Sequence, residues 1–306
     1  MNTRTWRKLG RIFDAEFASC HPKMLSHAAN PLPVLIENDI YRVYFGCRDE
    51  HNRSSVGIVD IDIVRRDIVQ RYDRPVFEYG PAGSFYADGV SVGNTYTAGD
   101  VTYMLFMGWQ NSPLTHWRGD IGRLIVHDDL SLGLDSETPL LGSDQTDPVS
   151  LSYPWVMRLS EGDFRMWYGS TVTWDAGNGE MLHVINQAVS ADGSNWRRQG
   201  IAVPYDLGIA QAFSRPTVIG DYGSGYHMWF SYRSGSGQKY RIGYAYSEDG
   251  ASWDLALEHS GVDVSPAGWD SDMIEYPYVL VHKDQEYMLY NGNGYGKSGF
   301  GIAVLE

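Results

Sequence analysis

The chain has 306 residues, 43% of them hydrophobic and 13% aromatic, which is enough for a packed core and too apolar for a disordered segment. A net charge of −14 repels a phosphate polyanion and argues against a nucleic-acid partner. No apolar run approaches the roughly eighteen residues that a membrane-spanning helix needs.

The N-terminal stretch lacks an apolar signal core and carries Arg4, Arg7, Lys8 and Arg11, so no secretion signal is expected. The two cysteines, Cys20 and Cys47, make no disulfide framework, and free thiols fit a reducing cytoplasm. The first strand-like piece runs from Trp6 to Phe13.

Beyond it, a short aromatic strand returns five times: Val43-Tyr44-Phe45, Met104-Leu105-Phe106, Met166-Trp167-Tyr168, Met228-Trp229-Phe230 and Met288-Leu289-Tyr290. The second members lie at 44, 105, 167, 229 and 289, giving steps of 61, 62, 62 and 60. A whole-chain period of that size marks a radial repeat, and four short strands with their turns fill it. The expected fold is therefore an all-β, five-bladed β-propeller forming a single domain over 1–306. Its blades would span 24–80, 81–142, 143–204, 205–264 and 265–306, with 1–20 completing the last. The final repeat stops at Glu306 after its third strand, so Trp6–Phe13 is expected to supply the fourth and cover an open edge.

Each repeat opens near a proline (Asn30-Pro31, Tyr153-Pro154, Arg215-Pro216, Tyr276-Pro277), with Val92-Gly93 in the second. Two later turns, Ser190-Ala191-Asp192-Gly193-Ser194-Asn195-Trp196 and Ser247-Glu248-Asp249-Gly250-Ala251-Ser252-Trp253, share an S-x-D-G-x-x-W pattern. Asp-Gly supplies the positive φ angle of a tight hairpin. The turn resembles the Asp-box of sialidase-type propellers, and its expected role is structural.

Innermost strands of a propeller converge, so residues around the repeat openings should share one pocket. Its carboxylates would be Asp88, Asp272 and Glu275, with Asp49 nearby in Cys47-Arg48-Asp49-Glu50. Two carboxylates whose environments push their pKa values apart can act as acid and base, and their separation decides between inversion and retention. Arg48, Arg215 and Arg233 suit an anionic group; for Arg48 the alternative is an Arg–Asp pair that fixes its own loop. Trp109, Tyr153, Trp269 and Tyr276 offer ring faces, and His27, Asn30 and Asn291 offer polar contacts. No G-x-S-x-G, P-loop or H-E-x-x-H pattern occurs. No cofactor and no metal ligand set is expected, with a structural calcium ion on the axis left open.

The repeats, the two Asp-Gly turns, and Tyr41-Arg42-Val43-Tyr44-Phe45, Phe164-Arg165-Met166-Trp167-Tyr168 and Tyr287-Met288-Leu289-Tyr290-Asn291-Gly292-Asn293-Gly294 resemble the five-bladed propeller glycosidases. These are glycoside hydrolase families 32, 43, 62 and 68 and the family 130 mannoside phosphorylases. The chain looks closest to a bacterial branch found among surface-polysaccharide genes. The resemblance implies a carbohydrate-active enzyme with a small carbohydrate or sugar-phosphate ligand. Glu275 or Asp272 would be the proton donor, and Asp88 or Asp49 the base or the group that orients it. The chain departs from the pattern at Asn30-Pro31, where those hydrolases carry an aspartate, and an Asn cannot act as a base. Two alternatives stand beside hydrolysis: a non-catalytic sugar-binding propeller, and a transferase, lyase or phosphorylase acting on a phosphate-bearing sugar.

Overall fold

The computed structural model describes residues 4–16, 21–112, 115–221, 223–235 and 237–306. Cys20 lies outside them, and Cys47 is a buried free thiol.

The all-β expectation holds: twenty strands and one short 3-10 turn, Leu257–His259, make up the described elements. The strands group into antiparallel units of four. The first is β2 (Ser26–Glu37), β3 (Ile40–Arg48), β4 (Ser54–Asp62) and β5 (Asp67–Arg71). The second is β6 (Gly89–Ala98), β7 (Val101–Ser112), β8 (Thr115–Val126) and β9 (Leu132–Leu134), joined to the first by one parallel pair, Ser54 with Gly89. The third is β10 (Ser150–Ser160), β11 (Asp163–Thr173), β12 (Leu182–Ser190) and β13 (Arg197–Ile201). The fourth is β14 (Ser214–Asp221), β15 (Gly225–Tyr232), β16 (Arg241–Ser247) and β17 (Asp254–Leu255). The fifth is β18 (Glu275–His282), β19 (Gln285–Asn291) and β20 (Phe300–Leu305), with β1 (Trp6–Phe13) antiparallel to β20. First strands touch one another in order: β2 with β6, β6 with β10, β10 with β14, β14 with β18, and β18 with β2.

Packing explains the aromatic middle strands. The hydrophobic clusters join neighbouring units, as where Ile12, Phe13, Val43 and Phe45 meet Leu289, Phe300 and Ile302. A residue buried on both faces of its sheet reads as an unbroken apolar run, which is why Met104, Leu105 and Phe106 are all fully buried. Opposite Phe106 the third strand carries Gly122, where a Cβ would come within 2.4 Å of the ring.

Both S-x-D-G-x-x-W turns have the expected structure. The Asp192 carboxylate accepts the backbone N–H groups of Ser194 and Asn195, Ser190 Oγ accepts that of Gly193, and Gly193 has φ +72°. Asp249, Ser247 and Gly250 repeat the arrangement. Trp253 then packs edge-on against Trp167 of the preceding unit, with ring centroids 5.7 Å apart.

The first strands are bulged in every unit. Two residues face one between the paired ends Ala29–Leu32, Ser152–Trp155, Ser214–Thr217 and Glu275–Tyr278, and one position later between Val92 and Thr95. In four units the bulged residue precedes proline and has a left-handed φ: Asn30 +55°, Tyr153 +35°, Arg215 +48° and Tyr276 +53°. Proline normally pushes its predecessor toward extended backbone, and a non-glycine residue held left-handed costs on the order of 1–3 kcal/mol. Side chains of neighbouring units hold two of these bulges. Asn291 Oδ1 accepts the Asn30 N–H at 2.8 Å, and Ser231 Oγ accepts the Tyr276 N–H at 2.7 Å.

Candidate functional site

The bulges surround a cavity of about 310 Å³, at the small end of ligand sites. Pairing with the ends of the middle strands makes Ala29, Ser91, Ser152, Ser214 and Glu275 equivalent positions. The first four line the cavity. The fifth, Glu275, is the one carboxylate of the set and lies behind the wall, outside the lining residues.

Glu275 is fully buried, and neither carboxyl oxygen has a hydrogen-bond partner. Burial raises its pKa well above the ordinary range, and the nearby Arg233 and Arg48 charges only partly offset this. Burial without donors favours the neutral acid, because an unsolvated carboxylate is costlier than the carboxylic acid.

Among the residues expected from sequence, Asn30, Arg48, Trp109, Tyr153, Arg233 and Tyr276 line the cavity. Trp109 is oriented by a 3.1 Å bond from Nε1 to Ser54 Oγ. Tyr153 and Tyr276 face each other with ring centroids 5.3 Å apart. Arg233 is braced by Glu180 at 2.8 Å and lies over the Tyr240 ring at 4.7 Å, while its buried Nε has no partner. The Arg–Asp alternative for Arg48 does not form, because Asp49 pairs with Arg53 at 2.8 Å.

The remaining expected residues fall outside the lining. Asp49 is engaged by Arg53 and by the His51 and Arg53 backbone N–H groups. Burial pushes its carboxyl up, and these hydrogen bonds outweigh burial to leave it lowered. Asp88 accepts the Asn111 N–H at 2.7 Å at the end of a hairpin. Asp272 is exposed, 3.9 Å from Lys239. Trp269 packs on Tyr290 inside the fifth unit, and Asn291 spends its amide on Ala28 and Gly299 carbonyls. His27 bonds Ser26, and burial, with Arg48 and Lys297, lowers its pKa to about 4. Arg215 is fully buried on the inner strands, giving one hydrogen bond to the Pro31 carbonyl and none from Nη1.

Sequence reasoning pointed to none of Trp117, His183, Tyr240 and Tyr295, all of which line the cavity. His183 stands between Ser152 Oγ and Thr171 Oγ1, each at 2.7 Å; burial, then Arg233, lowers its pKa to about 3, so it is neutral. Its place at the head of a third strand, beside the end of the middle strand, was the available signal. Among the described residues no group of three or more His, Cys, Asp or Glu side chains could hold a metal ion. No described helix is long and apolar enough to cross a membrane.

The fold is that of the propeller glycoside hydrolases. It matches a glycosyl hydrolase from Bacteroides ovatus over 99% of this chain and 94% of that one, with TM-score 0.73 and 12% identity. A structure from work on the GH130 family of mannoside phosphorylases, which contains glycoside hydrolases targeting β-1,2 mannosidic linkages in Candida mannan, matches at TM-score 0.74 and 11% identity, covering 99% and 94%. A thermostable family-43 glycoside hydrolase matches at TM-score 0.65 and 16% identity, covering 94% and 91%. No family model matches the chain. In sequence it is 44% identical over 303 residues to the uncharacterized protein Rv1502 of Mycobacterium tuberculosis strain H37Rv, covering 98% of this chain and 99% of that protein. The uncharacterized protein MT1551 of M. tuberculosis strain CDC 1551 matches to the same extent. The chain belongs to the family of these mycobacterial proteins.

Proposed function

We propose that the chain is a carbohydrate-active enzyme that cleaves or transfers a glycosyl group in this cavity, with Glu275 as proton donor. The observation behind the reading is Glu275 itself: one carboxylate among five equivalent first-strand positions, buried and unpartnered, with its pKa raised by burial. A general acid with a raised pKa can protonate the leaving glycosidic oxygen at neutral pH. Trp109, Trp117 and Tyr153 supply ring faces for a sugar. The reading includes a single domain whose five four-stranded units are the blades of one closed propeller, working in the cytoplasm on a small carbohydrate or sugar phosphate.

Glu275 lies behind the lining, and the second carboxylate of a two-carboxylate hydrolase has no counterpart beside it. No Asp or Glu is among the lining residues, and Asp49 and Asp88 are occupied elsewhere. This favours transfer to a nucleophile that needs no base over direct hydrolysis. It also leaves a non-catalytic sugar-binding protein as the second reading.

The deciding experiment compares wild type with Glu275→Gln on a library of glycosides, with and without inorganic phosphate. A hundredfold or greater loss of kcat, on the order of what one general acid contributes, with KM little changed, is the expected result. Glycan binding by both forms with no turnover by either would replace the enzyme reading with the binding one.

A further inference from the structure

We propose that the cavity selects a sugar bearing an anionic substituent, a carboxylate or a phosphoryl group, and that Arg48 is the residue that clamps it. This inference rests on the carbohydrate reading of the cavity but not on catalysis.

The first ground is the balance of charge around the cavity. A protein with a net charge of −14 lines this cavity with two arginines, Arg48 and Arg233, and no carboxylate. Arg233 is matched by Glu180. Arg48 is not matched: its sequence neighbour Asp49 belongs to Arg53, and no side-chain partner of Arg48 is found among the described residues. Glu275 is within electrostatic reach of both arginines but accepts a hydrogen bond from neither. Arg215 adds a further buried cation on the inner strands, facing the Pro31 carbonyl and, at 5.9 Å, the Tyr278 ring. Burial lowers its pKa only to about 10, so it stays charged. A buried charge without a partner is costly. The inner strands therefore hold a positive potential that a bound anion would neutralise.

The second ground is the unused donors. Of the two lining arginines, the buried Arg233 Nε has no acceptor, and the Arg48 guanidinium at the cavity wall is uncommitted. Arginine's planar fork matches a carboxylate or a phosphoryl group with two parallel hydrogen bonds, which a neutral hydroxyl cannot accept with comparable strength.

Thermal shift of the full chain gives the test. Inorganic phosphate, glucuronate, galacturonate, mannuronate and glucose are compared at ~10 mM against sodium chloride of matched ionic strength, since a ligand that binds only the native state raises Tm by mass action. An array carrying neutral, uronate-bearing and phosphorylated glycans is probed in parallel. The expected result is a shift from an anionic member and none from glucose, with array binding confined to anionic glycans and weakening as salt rises. Shifts from phosphate alone identify a phosphoryl group, and shifts from a uronate alone a carboxylate. Arg48→Met should weaken binding roughly ten- to hundredfold, Arg48→Lys less, and Arg74→Met on the exposed surface not at all. Should Arg48→Met fail to fold, Arg48→Lys and the wild-type salt dependence still decide. Binding of neutral glycans in preference, no shift from any anion, or anion binding indifferent to Arg48 would each overturn the proposal. Turnover of a neutral glycan that depends on Glu275 would leave the enzyme reading standing while this one fell. Arg48-dependent anion binding without turnover would do the reverse.

Discussion

Glu275 shows how a single residue can hold function and stability in opposition. Its carboxyl is raised above the ordinary 4.5 by burial, against the pull of Arg233 and Arg48. The native state keeps a proton that the unfolded chain releases near that ordinary value. The associated stability is intact below it and is lost as pH rises through the raised native value. Glutamine fills the same space and does not titrate. The melting temperature of Glu275→Gln relative to wild type should therefore grow more favourable from about pH 5 to about pH 9. A difference that stays constant across that range would mean that Glu275 has an ordinary pKa and is no poised acid. Its neighbour shows a related tension, since Tyr276 is left-handed before a proline and is held there by Ser231 Oγ. The sequence displayed the Tyr276-Pro277 step but not the strap, because Ser231 sits 45 residues away on the preceding unit.

At the scale of the element, the repeated strands were legible because their burial is two-sided. An aromatic run such as Met104-Leu105-Phe106 has no polar alternation to confuse with a surface strand, and the Asp-Gly turns advertise their geometry. What stayed hidden is which ends of those strands point into the cavity. Arg48 and Asp49 are adjacent, yet one lines the cavity and the other is captured by Arg53 across a four-residue turn. Asp272 and Glu275 stand three apart, and one is exposed while the other is fully buried. Each pair straddles a strand end, Arg48 closing β3 and Glu275 opening β18, and no periodicity announces which neighbour turns inward. The third strands carry their own requirement. Gly122 lies opposite Phe106, and its missing side chain leaves the ring its place. Gly122→Ala should destabilise the fold by roughly 1–3 kcal/mol, the usual penalty of overpacking a filled core. Chemical denaturation would measure it, and an unchanged midpoint would show that Phe106 can shift without cost.

For the molecule as a whole, β1 is the element on which the closed-propeller proposal depends. It pairs with β20, the last strand of the fifth unit, and its side chains reach the two flanking units. Trp6 meets Trp229 of the fourth unit edge-on at 5.4 Å, and Phe13 meets Phe45 of the first at 5.1 Å. Arg4 pairs with Glu286 at 2.7 Å, but ion pairs of this exposure are worth little. The buried apolar side chains are the larger contribution. Trp6, Ile12 and Phe13 are each under a tenth exposed, and burial at ~2 kcal/mol apiece comes to about 6 kcal/mol. That is comparable with the whole stability of a typical domain, about 5–15 kcal/mol. Removing β1 would also bare the β20 edge, a template for intermolecular pairing. Deletion of residues 1–13 should therefore give an aggregating, unfolded chain rather than a trimmed one. A synthetic peptide covering residues 1–16, added during refolding, should restore solubility by re-forming the pair. A soluble deletion variant with the wild-type melting temperature would show that the fifth unit stands on three strands and that the fold does not need its N-terminal strand.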